Sequence, residues 1–129
     1  MNGRYALDTN IVIALIDRDA SVRDRIARAD EVFIPSPVLG ELFFGAFHSR
    51  RVVENVARVD QLARDYPVFP VDEMVAKTYG ELRHELLIQG KPVPENDLWI
   101  AAIAKRLSAT VATRDQHFKD IDGLSVEMW

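Results

Sequence analysis

The chain has 129 residues, 48% hydrophobic and 28% charged, a composition that fits one globular domain and argues against disorder or fibrous repeats. It contains no cysteine, which excludes disulfide frameworks, Cys-ligated zinc, iron–sulfur clusters and thiol nucleophiles and leaves oxygen or imidazole as the donors for any metal. A formal charge of −4 removes bulk positive charge as a route to nucleic acid.

In chain order, short β-like runs alternate with longer helical ones, the signature of a parallel α/β sheet. The first strand is Arg4 to Leu7, followed by an apolar helix through Ile11, Ile13, Ala14, Leu15 and Ile16. A basic amphipathic helix spans about Ser21 to Ala29, and Glu31 to Pro35 reads as strand two. Ser36-Pro37 predicts the cap and first turn of a helix beginning at Val38. Val52 to Tyr66 repeats Val and Leu at helical spacing and stops before Pro67, where helix is disfavoured. A short strand, Val68 to Val71, precedes Asp72, which can cap a helix running to Gln89 and closed by Gly90. Pro92 to Asn96 turns the chain into an apolar helix, Asp97 to Ser108, followed by strands Thr110 to Thr113 and Leu124 to Met128. No linker divides the chain, so residues 1–129 are expected to form a single domain. The longest apolar run, Leu98 to Ala104, is far short of the roughly 20 residues that span a bilayer. Asp8 interrupts the N-terminal segment before a signal-peptide apolar region develops, so a cytoplasmic, membrane-free protein is expected.

Four acids stand where acids are usually avoided. Asp8 ends the first strand and Asp115 follows the strand through Thr113, so both point to the carboxyl rim where parallel sheets bind ligands. Glu41 lies mid-helix between Leu39 and Leu42, and Asp97 opens the apolar helix. Each has a structural alternative: Asp8 and Asp97 could cap helices, Asp115 could make a turn, and Glu41 could pair with an arginine. Converging carboxylates would repel one another without a cation. In a cysteine-free chain with only His48, His84 and His117, an oxygen-rich site favours Mg²⁺ or Mn²⁺ over zinc.

Four segments then resemble PIN-domain ribonucleases, more narrowly the VapC-type toxins of toxin-antitoxin pairs. They are Leu7-Asp8-Thr9-Asn10, Pro35 to Leu42 with Glu41, Asn96-Asp97-Leu98-Trp99-Ile100-Ala101-Ala102, and Thr113-Arg114-Asp115-Gln116-His117-Phe118. The resemblance covers the whole chain. It implies a three-layer α/β domain with a mainly parallel central sheet and helices on both faces. It also implies an endoribonuclease that cleaves by metal-activated water, leaving 5′-phosphate and 3′-hydroxyl ends. The family's catalytic and metal-binding acids map onto Asp8, Glu41, Asp97 and Asp115, with Thr9, Asn10, Asn96 and Thr113 as the polar residues that orient them. The partners implied are an RNA substrate, a small inhibitory antitoxin and a second copy of the chain, giving a homodimer and a toxin-antitoxin hetero-oligomer.

Arg50-Arg51, Arg18 to Arg28 and Arg114 with Lys119 are the basic groups available to an RNA backbone. Arg114, beside Asp115, is the first choice, and His117 is a second possible RNA contact. Phe43, Phe44, Phe47 and Trp99 read mainly as core by spacing, with part of that surface left for another chain. Two other classes remain: a phosphatase or phosphoacceptor domain, which also places acids at strand ends, and a non-catalytic PIN-like interaction module. Against the first, Asp8-Thr9-Asn10 lacks the second Asp expected after a phosphatase nucleophile. Against the second, a binding surface has no reason to converge unpaired carboxylates.

Overall fold

Each central strand is a short apolar run buried on both faces, and such runs suit a parallel sheet covered by helices. In the computed structural model, which describes residues 3–129, strands β1 (Arg4–Leu7), β2 (Glu31–Pro35), β3 (Val68–Phe69), β4 (Thr110–Thr113) and β5 (Val126–Met128) form one five-stranded sheet. The order is β3-β2-β1-β4-β5 and every pairing is parallel. Six α-helices flank it: α1 (Thr9–Ile16), α2 (Ala20–Arg28), α3 (Ser36–Phe47), α4 (Val52–Asp65), α5 (Glu73–Gln89) and α6 (Glu95–Arg106). Because the chain winds from β1 to one side and then returns past it to β4, right-handed crossovers send helices to both faces. The reversal falls between β1 and β4, where Tyr5 pairs with Thr110 and Leu7 with Ala112.

The core is built from Ala6 and Leu7 of β1, Phe33 and Ile34 of β2, Val111 and Ala112 of β4, Ile11 and Val12 of α1, and Ile100 to Ala104 of α6, all fully buried. Three alanines in α6, Ala101, Ala102 and Ala104, let that helix lie close against β1 and β4. That close approach carries the first turn of α6 to the carboxyl rim. Among the described residues no helix is long and apolar enough to cross a membrane.

Several boundaries differ from expectation. Helix α3 begins at Ser36 rather than Val38, with Pro35 as its cap residue and no side-chain cap bond. Pro37 falls in the first turn, where its missing N–H has no intrahelical partner to lose. Helix α6 begins at Glu95 rather than Asp97, behind Pro94. Strand β3 is two residues long because Pro70 cannot donate to a ladder, and β5 starts at Val126 rather than Leu124. A 3₁₀ turn over Gln116–Asp120 was not anticipated. The Asp72 cap and the left-handed Gly90, with φ of 69°, are as expected.

The aromatic residues of α3 are the main correction to the expected core. Phe44 and Phe47 are exposed, because the buried stripe of α3 runs through Val38, Leu42 and Ala46 and leaves them on the opposite side. Phe43 is half-buried, and Trp99 stacks on Tyr79 with ring centroids 3.7 Å apart. Phe118, by contrast, is fully buried and pins the 3₁₀ turn between the exposed His117 and Lys119. Phe118→Ala should therefore cost about 3–5 kcal/mol in urea denaturation, whereas Phe44→Ala should stay within about 0.5 kcal/mol. Equal effects of the two substitutions would contradict this assignment of core and surface.

Candidate functional site

Asp8 is delivered to the rim by the last residue of β1 and caps α1, its Oδ1 accepting from Thr9 N at 2.7 Å. Its Oδ2 accepts from the Thr113 hydroxyl at 2.7 Å, across from the end of β4. The side chain is only 5% exposed. Burial pushes its pKa up, the two hydrogen bonds pull it down, and the nearby Asp115 charge adds to the rise. The same Thr113 oxygen accepts from Asp115 N at 2.9 Å. One hydroxyl thus orients two of the four acids.

Asp97 lies within the first turn of α6, half-buried and making no cap bond. The early start of the helix removes the capping explanation for this residue. Its pKa is raised to about 6, first by burial and then by the charges of Asp8, Asp115 and Glu41, with His117 opposing. The other three sequence-selected acids thus all lie close enough to Asp97 for their charges to act on it. Glu41 accepts from the Asn96 side-chain amide, and burial, then the Asp8 charge, raise its pKa, while the Thr9 hydroxyl opposes the rise. That hydroxyl is itself buried and makes no hydrogen bond of ordinary geometry.

Asp115 caps the 3₁₀ turn, its Oδ1 accepting from His117 N at 2.9 Å and lying 3.0 Å from His117 Nδ1. The capping roles of Asp8 and Asp115 are thus real and coexist with the cluster, because each carboxylate uses its local bonds to hold a fixed direction. Among the described residues, Asp97, Asp115 and His117 bring one donor atom each to within 4.8 Å of one another. His117 had been singled out only as an RNA contact. The signal in the sequence was the Asp115-x-His117 spacing, which one turn brings together.

Arg114 is engaged elsewhere. Its backbone N donates to Asn10 Oδ1 at 3.2 Å, its Nε to Trp129 O at 2.9 Å, and its Nη2 to Asp19 Oδ2 at 3.1 Å. Asp19 also caps α2 through Val22 N, and these contacts hold its pKa low. Arg114 therefore ties α2 and β5 to the segment that carries Asp115. Asp19 was missed in the sequence, where it was indistinguishable from any acid before a helix.

A donor set of carboxylate oxygens with one imidazole nitrogen, in which the charges of neighbouring acids raise the pKa of Asp97, fits a divalent cation and no thiol-seeking ion.

Comparison with known proteins agrees with this geometry. The family model for the PIN domain matches residues 5–124. The chain is 31% identical to Ribonuclease VapC1 of Haemophilus influenzae, covering 97% of each chain. It is 33% identical to the tRNA(fMet)-specific endonuclease VapC of Shigella flexneri, covering 98% of each. Among solved structures it superimposes on VapBC of Salmonella typhimurium bound to DNA with a TM-score of 0.90, at 30% identity over 100% of this chain and 99% of that one. It matches VapBC2 of Rickettsia felis, bound to a promoter DNA fragment, with a TM-score of 0.89 at 31% identity over 98% of each chain. On the match over residues 5–124 and these full-length relatives, the chain belongs to the PIN domain family.

Proposed function

We propose that this chain, as one PIN domain over residues 1–129, is a divalent-metal-dependent endoribonuclease and the toxin of a toxin-antitoxin pair. The observation that carries the reading is the convergence of Asp8, Glu41 and Asp115 on Asp97, whose pKa is raised to about 6 first by burial and then by their charges. The four acids form the metal site, with Mg²⁺ or Mn²⁺ as the ion. When bound, such an ion activates water and neutralises charge on the transferring phosphate. The chain's own residues set the geometry. Thr113 holds Asp8 and the Asp115 backbone, Asn96 holds Glu41, and Asn10 holds the Arg114 backbone. Thr9 N fixes the remaining oxygen of Asp8.

The partner reading draws on the VapBC complexes and on the surface of α3. A cavity of about 490 Å³ lies beside the acids, lined by Thr9, Ile13, Glu41, Gly45 and Val59 among others. An antitoxin helix with an apolar stripe suits this cavity, and a basic side chain from it would reach the carboxylates. Phe44 and Phe47 stand exposed on the other side of the same helix. A second copy of the chain completes a homodimer, and the two together give the hetero-oligomer.

Asp8→Asn and Asp97→Asn should each lower RNA cleavage by about 100-fold or more, as should excess EDTA, with far-UV circular dichroism unchanged. Full activity in EDTA would sink the metal-dependent reading. The expected cleavage ends are 5′-phosphate and 3′-hydroxyl. A 2′,3′-cyclic phosphate would instead make the RNA 2′-hydroxyl the nucleophile.

Stability should report the same crowding. Asp97 has a folded pKa of about 6 against an ordinary value of 3.8, so its ionisation destabilises the fold. The penalty is absent at pH below 3.8, grows as pH rises towards 6 and is complete above it. In the metal-free protein at pH 7, Asp97→Asn should accordingly raise Tm by a few degrees and flatten its fall with rising pH. Mg²⁺ or Mn²⁺ should raise Tm of the wild type and much less that of the variant. A variant with lower Tm throughout would assign Asp97 a structural role.

A further inference from the structure

The imidazole of His117 is held among the acids by the same turn that fixes Asp115. The Asp115 carboxylate caps that turn through His117 N, the ring Nδ1 stands 3.0 Å from Asp115 Oδ1, and the next residue, Phe118, is fully buried. The ring is half-exposed, yet its backbone cannot swing away without pulling Phe118 from the core.

Two donors on opposite sides of one ion stand about 4.4 Å apart, twice a bond of about 2.2 Å. One donor atom each from Asp97, Asp115 and His117 falls within 4.8 Å of the others. Shifts of a few tenths of an ångström close that set onto a single cation, which rotamer adjustment of two carboxylates supplies. Among the described residues no lysine or arginine makes a salt bridge to Asp97 or Asp115, and Arg114 is turned to Asp19 and the Trp129 carbonyl.

From this geometry we propose that His117 is itself a ligand of the metal site and that it tilts the site's preference from Mg²⁺ towards Mn²⁺. The inference rests on the metal-dependent reading above and deepens it. Mg²⁺ demands oxygen donors and near-ideal octahedral geometry and sheds water reluctantly. Mn²⁺ shares the oxygen preference of Mg²⁺ but, lying at the weak-binding end of the transition-metal affinity series, gains more than Mg²⁺ from a nitrogen donor, so one imidazole among carboxylates discriminates between the two ions.

The test is calorimetric titration of the full chain with MgCl₂ and with MnCl₂, for the wild type and for His117→Gln. Glutamine keeps the backbone N–H that bonds Asp115, and the exposed side chain leaves the fold intact. The substitution should weaken Mn²⁺ by about tenfold or more and Mg²⁺ by less than about threefold. The visible absorption of bound Co²⁺ should also shift on removal of the nitrogen donor. An unchanged ratio of the two affinities, or an unchanged Co²⁺ spectrum, overturns the assignment of His117 while leaving the metal site standing. A wild-type chain that binds neither ion overturns both.

Discussion

The hydrogen bond from the Thr113 hydroxyl to Asp8 joins the ends of the two parallel strands between which the winding order of the chain reverses. A carboxylate that is 5% exposed would be costly to ionise if left unpaired. Thr113 and the Thr9 N–H supply both of its oxygens with donors, so the group stays ordered at the mouth of the site. The same hydroxyl receives Asp115 N, and from Asp115 the turn carrying His117 and Phe118 follows. Remove that hydroxyl and the orientation of both acids is lost together.

Around this pair the molecule accumulates electrostatic tension rather than relieving it. Asp97 and Glu41 are brought in on α6 and α3, each with its pKa raised by burial and by its neighbours. None of the four acids makes a salt bridge to lysine or arginine among the described residues. A fold that merely needed stability would pair the buried Asp8 and the half-buried Asp97 with a cation of its own. A divalent cation bound there would stabilise the ionised forms that burial and mutual repulsion disfavour.

The positive charge near the rim is used for construction. Arg114 spends its guanidinium on Asp19 and on the Trp129 carbonyl, bracing α2 and β5 against the loop that holds Asp115. The apolar surface near the rim is organised in the opposite sense: Phe44 and Phe47 face outward because the stripe of α3 that meets the core is completed by Val38, Leu42 and Ala46. Acid cluster and cavity thus lie beside one face of α3, where Glu41, Leu42 and Ala46 line the cavity, while the exposed aromatics stand on its other side.

Much of this was legible in the residues. Strand Arg4–Leu7, strand Glu31–Pro35, strand Thr110–Thr113, the Asp72 cap and the Gly90 stop follow from local chemistry, since apolar runs, a capping carboxylate and a left-handed glycine act within a few residues. The four acids stood out because each broke an apolar pattern. Local chemistry could not show which side of α3 the core would use, since several aromatics compete for one stripe and only packing against the neighbours chooses among them. Nor could it place the start of α6: Pro94 and the docking of Ala101, Ala102 and Ala104 against the sheet set the helix two residues early, which turned Asp97 from a cap into a free carboxylate. The orientation of Arg114 and the position of His117 were likewise decided by tertiary structure, because Asp19 and Trp129 are far from Arg114 in sequence and Asp97 is far from His117, and only the closed sheet brings them within reach.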